Sequence, residues 1–304
     1  MSRPGLPFRR ITLVGVGLIG GSIGLALRRN LRGARVVGVD RPEVLRAARA
    51  KRVIDEATPS LARGLRGADL VILALPVDAI MKILPRLGGR LASGAIVTDV
   101  GSTKERIDRR ARLAGLGARF VGGHPMAGSE RSGIDHADGN LFRGAPWILC
   151  PARAETASSR AAGRRGRPLA AVRRVSALVR RLGARPAVLD ARSHDQAMAR
   201  LSHLPQLVSV ALTNAVGSLE ARRFLHLSGP ALLGMSRLAE SPPDLWEGIL
   251  RSNRRAAARA LDDFIQEIRR LRATLGRGSS AHFRRAARLR ARLLSSARGR
   301  GPLR

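Results

Sequence analysis

The segment Gly15-Val16-Gly17-Leu18-Ile19-Gly20 constrains this chain most tightly, because it sits between an apolar run at 11–16 and an amphipathic stretch. A glycine turn joining a buried strand to a helix belongs to a strand–helix–strand unit, and such units build parallel sheets. Gly15 permits the tight turn, Gly17 lets the backbone approach a pyrophosphate, and Gly20 lets helix and strand pack closely. The amides opening the helix at Leu18 and Ile19 then face an anion. The next apolar run ends in Asp40, an acid at the distance expected for a partner of ribose hydroxyls. Asp40 would repel a 2′-phosphate, so NAD is expected in preference to NADP; the neighbouring Arg41 argues the other way, since arginine accepts that phosphate.

Strand-like runs recur at 11–16, 34–39, 70–75, 95–99, 119–122 and 146–150, separated by amphipathic stretches such as 42–51 and 104–113. The alternation predicts right-handed crossovers and a mainly parallel sheet. Leu75-Pro76, closing the third run, are expected beside the cofactor at the sheet's carboxyl edge. Residues 152–169 are rich in Arg, Ala, Gly and Ser and read as a flexible basic loop. A helix at 171–182 and a last strand at 186–189 follow. Thereafter only helical patterns occur, at 193–219, 230–238, 243–268 and 279–296. The expected organisation is a Rossmann-type doubly wound α/β domain over 1–190 and an all-helical domain over 191–304. The basic, Gly-rich end from 297 is expected to fray.

Lys and Arg total 56 against 22 Asp and Glu, a net charge of +34, and only Lys51, Lys82 and Lys104 are lysines. Such an excess attracts nucleic acid, anionic membranes or acidic small molecules. Surfaces that bind single-stranded nucleic acid add stacking aromatics; here aromatics are 3% and tyrosine is absent. Nucleic acid is therefore not the expected partner. One cysteine, Cys150, excludes a disulfide framework within the chain and points to a reducing compartment, hence the cytoplasm. Arg9-Arg10 before an apolar run imitates an export signal, but that run carries five glycines. No stretch reaches the ~18 apolar residues of a membrane span.

A second constellation, Asp99-Val100-Gly101-Ser102-Thr103-Lys104-Glu105, closes another strand at the edge where ligands bind. Ser102 and Glu105 have the S-x-x-E spacing of a capping box. After the next strand comes Gly123-His124-Pro125-Met126-Ala127-Gly128-Ser129-Glu130. His124, between a strand end and a turn, is placed to accept the proton of a substrate hydroxyl as hydride leaves the same carbon. A satisfied structural histidine is the other reading.

At these residues the chain resembles the prephenate dehydrogenase family. The resemblance rests on the glycine turn, Asp99–Lys104, the HPMAGSE segment from His124, Ser132-Gly133, Asn140-Leu141-Phe142, Ser193-His194-Asp195, Leu201-Ser202-His203-Leu204-Pro205, Ser236-Arg237-Leu238-Ala239, Trp246 and Asn253. It implies NAD-dependent oxidative decarboxylation of prephenate in tyrosine biosynthesis, by a homodimer formed through the helical domain. His124 would take the hydroxyl hydrogen bond, Ser102 would orient it, and Arg237 would bind a substrate carboxylate. Glu130, His194, His203, Gln206 and Trp246 would line the substrate site. A metal is not expected: nine helical steps of ~100° put His194 and His203 on opposite sides of one helix. Gln206 stands where many prephenate-specific members carry histidine, which keeps arogenate open as the substrate. Lysine-dependent hydroxyacid dehydrogenases are disfavoured, since no lysine follows Lys104.

Overall fold

The computed structural model describes residues 8–31, 33–128, 131–152, 170–218, 222–276 and 278–297. Glu130, the basic stretch 153–169 and the end beyond 297 lie outside the described residues, and with them the expectations of a flexible loop and a fraying terminus.

One eight-stranded sheet has the order β3-β2-β1-β4-β5-β6-β7-β8. In chain order the strands are β1 (Arg10–Val14), β2 (Arg35–Val39), β3 (Glu56–Thr58), β4 (Leu70–Leu73), β5 (Ile96–Asp99), β6 (Phe120–Pro125), β7 (Pro146–Pro151) and β8 (Arg185–Val188). Every neighbouring pair is parallel except β6 and β7. The chain winds outward from β1 to β3, then returns to β4 on the other side. That reversal makes a Rossmann-type sheet with a ligand crevice above β1 and β4. β3 was not anticipated: three residues, two of them polar and all half-buried at the sheet edge, leave too little apolar signal. β6 runs on to Pro125, so His124 lies inside a strand, opposite Ile148, and not beyond its end.

The helices of this half are α1 (Leu18–Asn30), α2 (Pro42–Ala50), α3 (Leu61–Gly64), α4 (Val77–Ile83), α5 (Glu105–Leu113) and α6 (Ala170–Arg181). β4 shows how they are distributed. Leu70 and Ile72 face one core with Ile23, Leu27, Leu45 and Val175, while Val71 and Leu73 face another with Val77, Ile80 and Ile107. Alternate side chains point to opposite faces, so a strand covered on both sides must be apolar throughout. Each such side chain contributes about 1.5–3 kcal/mol on burial.

After β8 the described chain is helical: α7 (Ala191–Met198), a π-helical turn Ala199–His203, α8 (Leu204–Val216), α9 (Pro230–Ser236), a 3-10 turn Arg237–Glu240, α10 (Pro243–Ser252), α11 (Arg254–Ala273) and α12 (Ser280–Ala297). The helix expected over 193–219 is thus interrupted. Pro205 has no N–H to offer the preceding turn, and the backbone widens just before it. The helix expected over 243–268 breaks at Asn253, whose φ of −120° and ψ of 28° leave the helical region. No helix among the described residues is long and apolar enough to cross a membrane.

Candidate active site

The site begins at the carboxyl end of β5. The Asp99 carboxylate is buried and accepts the amides of Gly101 at 2.8 Å and Gly123 at 3.0 Å, and it pairs with the buried Lys104 ammonium. It therefore ties the exit of β5 to β6, the strand that carries His124. A buried pair of this kind is costly to break from one side, because the remaining charge stays buried.

His124 is buried, and its Nδ1 lies 2.8 Å from His194 Nε2. His194 Nδ1 in turn lies 2.8 Å from Asp195 Oδ1. The carboxylate can only accept, so His194 donates from Nδ1 and presents a lone pair at Nε2. His124 then donates from Nδ1, which leaves its Nε2 as an acceptor. Burial, reinforced by His194, Lys104 and His203, holds the pKa of His124 well below the ordinary histidine value. Burial also lowers that of His194, against the opposing pull of Asp195. The arrangement is a neutral imidazole base, oriented by a second imidazole and a carboxylate.

Asp195 has another task. Its Oδ1 accepts the Lys104 amide at 2.6 Å and its Oδ2 accepts the Glu105 amide at 2.9 Å. The expected capping box is therefore corrected. The residue before α5 is Lys104, with no side-chain cap of its own, and a carboxylate 91 positions away in sequence does the capping. The same carboxylate faces the positive end of the α5 dipole. Ser102, not used as a cap, sits half-buried in the loop beside these groups.

His203 is buried and converges on this cluster, against the expectation that it lies opposite His194. Asn253 links them: its amide donates to the Asp195 carbonyl at 2.7 Å and lies 3.4 Å from His203 Nδ1. The π-helical turn supplies the rotation that an ideal helix lacks. No group of three or more His, Cys, Asp or Glu residues suited to a metal occurs among the described residues. Burial lowers the pKa of His203 to about 4. Its Nε2 has no hydrogen-bond partner among the described residues, and its ring meets the half-buried Trp246 edge-on at 6.0 Å. A buried polar atom in that state suits a polar ligand group.

His194 is fully buried and bonded to His124, so it is placed to orient that imidazole. Gln206 is likewise engaged internally, donating to the Leu238 carbonyl at 2.7 Å and accepting from Ser241 at 3.5 Å. It anchors the 3-10 turn that presents the exposed Arg237.

Across the crevice, Gly15 has φ of +91°, and a Cβ there would stand 2.3 Å from the Ala74 carbonyl oxygen and 2.8 Å from the Leu75 side chain. A Cβ at Gly20 would meet the Gly15 carbonyl oxygen at 2.1 Å, whereas one at Gly17 would meet nothing within 4 Å. The turn is closed beneath and open above, which is the shape a pyrophosphate needs. Leu18 and Ile19 open α1 half-buried, and Pro76 is exposed at the start of α4. The Asp40 carboxylate is fixed by the amides of Val16 and Arg41, at 2.7 and 2.8 Å. Arg41 is drawn aside to Glu43 at 3.3 Å.

Residues 23–162 match the prephenate dehydrogenase nucleotide-binding domain, and residues 190–289 match the prephenate dehydrogenase dimerization domain. Prephenate dehydrogenase of Bacillus subtilis is 32% identical over 270 residues, which are 86% of this chain and 69% of that protein. The chain belongs to the prephenate dehydrogenase family. The structure of prephenate dehydrogenase from A. aeolicus, in complex with hydroxyphenyl propionate and NAD+, matches with a TM-score of 0.83 at 28% identity, covering 94% of this chain and 98% of that one. Synechocystis arogenate dehydrogenase matches with a TM-score of 0.72 at 31% identity, over the same shares of the two chains.

In this family member the capping of α5 by Asp195 and its bond to His194 both depend on tertiary placement, which no local pattern carries. The Asp99–Lys104 pair was also missed, although an acid closing a strand five residues before a lysine is a usable signal.

Proposed function

We propose that this protein is an NAD-dependent prephenate dehydrogenase that converts prephenate to 4-hydroxyphenylpyruvate, through a sheet domain ending near residue 190 and a helical domain beyond it. The observation that carries the reading is the Asp195–His194–His124 chain, which ends in a neutral acceptor, His124 Nε2, at the sheet's carboxyl edge.

In this reading Gly15, Gly17 and Gly20 cradle the pyrophosphate with the amides of Leu18 and Ile19, and Leu75 and Pro76 border the cofactor. Asp40 takes the ribose hydroxyls, and the Arg41–Glu43 pair favours NAD over NADP. When bound, NAD would supply the hydride acceptor for the ring carbon that carries the hydroxyl. His124 takes the hydroxyl proton as that carbon becomes a carbonyl, and Ser102 holds the hydroxyl in line. Loss of the ring carboxylate as CO2 then returns its electron pair to the ring. The resulting phenolate recovers the proton from His124. Arg237 grips a substrate carboxylate, where a guanidinium can form two parallel bonds. His203 Nε2 offers a further polar contact beside Trp246, and Glu130 completes the lining as the resemblance implies.

Arogenate is the second reading, and Gln206 is the observation that favours it. With its amide on the Leu238 carbonyl, this position adds no positive charge for the keto acid side chain. A homodimer is part of the proposal. The helical half exposes Leu201, Phe224, Leu227, Leu233, Met235 and Phe283, each more than half accessible. Large apolar side chains left exposed in this number suit an association face.

The test is NADH or NADPH formation at 340 nm with prephenate or arogenate and NAD or NADP, in four combinations. Turnover with prephenate and NAD is expected. Turnover with arogenate alone moves the specificity to the second reading, and no turnover from a folded, NAD-binding protein sinks the enzyme assignment.

A further inference from the structure

Behind the histidine chain, on the other side of Asp195 and Asn253, lies a cleft of about 970 Å³. None of His124, His194, His203, Ser102, Arg237 or Trp246 lines it. Its walls come from α5 of the sheet half and from α7, α10 and α11 of the helical half, so it straddles the seam between them.

The lining is dominated by arginine. Some of these side chains are held: Arg112 by Asp108 and Arg251 by Asp78. Arg109, Arg192, Arg254, Arg255 and Arg259 also line the cleft, and none makes an ion pair among the described residues. The lining acids do not offset them. Asp108 is engaged with Arg112, Asp190 caps α7 through Ser193, and Asp195 caps α5. Only Glu105 has no such bond among the described lining acids.

Like charges converging on a concavity repel, and the repulsion persists unless an anion enters. α11 adds to it. This 20-residue helix has no side-chain cap and no acid in its first turn, and its first three residues, Arg254, Arg255 and Ala256, all line the cleft. Cations there oppose the helix dipole, whereas an anion complements both. No aromatic side chain lines the cleft, so a base has nothing to stack on. The volume is that of a small-molecule site.

We propose that this cleft binds a small polyanion carrying two or more phosphate groups, independently of the dinucleotide crevice. Several dispersed guanidiniums, each able to grip a phosphate with two bonds, match several anionic groups on one compact ligand. Because the walls belong to both halves, occupancy locks α5 against α11.

The test is calorimetric titration of the full chain with inorganic triphosphate and, separately, with ATP, in about 0.15 M salt to screen diffuse attraction, first without and then with saturating NAD. One saturable site per chain is expected, with similar affinity for both ligands. The triple variant Arg109→Gln, Arg254→Gln, Arg255→Gln should weaken binding by about 10-fold or more. The triple variant Arg284→Gln, Arg288→Gln, Arg292→Gln, on the exposed α12, removes the same charge and should change it less than about 2-fold. Equal weakening by both triples would show that only net charge matters and overturns the proposal. So does an absence of saturation, loss of binding once NAD is added, or binding of ATP without triphosphate. If the cleft triple does not melt cooperatively, Arg255→Gln alone should weaken binding about 3-fold, and no effect from it also overturns the proposal.

Discussion

The two halves of the molecule differ most in the apolar side chains they bury. The sheet half encloses branched aliphatics on both faces of its strands, with Ile11, Leu13, Leu70, Ile72 and Leu73 all essentially inaccessible. The helical half buries His194, Asp195, His203, Gln206, Ser209 and Asn253, with few apolar side chains besides Met198 and Ile249, while large apolar residues such as Leu233 and Phe283 face outward. A core of branched aliphatics supports itself. A helical layer that hides its polar groups and shows its apolar ones depends on other surfaces, here the sheet half on one side and, as proposed, a second copy on the other.

The sharpest break in this comparison is at Asp195, where the two halves share one carboxylate. Asp195→Asn should lower kcat by about 10³-fold or more, because the amide no longer fixes the tautomer of His194. It should also lower the melting temperature, because α5 loses a charged cap worth about 1 kcal/mol. His124→Gln should lower kcat comparably with NAD binding nearly unchanged, and should leave that cap intact. Steady-state rates, NAD titration and thermal melting of both variants decide it. Equal melting temperatures would separate the cap from the catalytic chain, and loss of NAD binding in His124→Gln would make that histidine structural.

Acid should reach the polar interior first. His124, His194 and His203 all have folded pKa values below the ordinary one, the last at about 4. Below pH ~6.5 the unfolded chain takes up protons that the folded chain refuses. Their contribution to stability is thus complete above that pH and is lost as pH falls, by up to about 1.4 kcal/mol per histidine per pH unit. Denaturant unfolding at pH 7.5, 6 and 5 should show this. His203→Gln should flatten the slope, and an unchanged slope would remove His203 from the account. The acid limb of kcat/KM should lie well below 6.5 for the same reason.

The smallest effect concerns the outward apolar face. Leu233→Glu with Phe283→Glu should shift the chain toward monomer in sedimentation, with the sheet half unaffected. Leu113→Glu, at a side chain 72% exposed in the sheet half, should change nothing. A similar response to both would dissolve the distinction between the halves.

Much of the sheet half was legible because its signals are local. Val71-Ile72-Leu73 reads as a doubly covered strand, and the glycine turn has one sensible geometry. What failed was what depends on distant partners. The Ser102–Glu105 spacing indicated a cap, but Asp195 reaches the same amides. Helical periodicity carried one helix through 193–219 and another through 243–268. The widened turn before Pro205 and the break at Asn253 interrupt them, and both bring side chains into the site. Gln206 was read as facing substrate, and its amide lies on the Leu238 carbonyl.

The position of Asp195 also sets a rule for recombination. The chain supplies α5 from one half and its terminal acceptor from the other, so the two halves meet at one shared carboxylate. A chimera that joins this sheet domain to a foreign helical domain must bring an acid at the same place, or the graft leaves two helix amides and an imidazole without their acceptor at once. Shuffling of such halves is therefore restricted to donors that share this one carboxylate, however similar their outer surfaces.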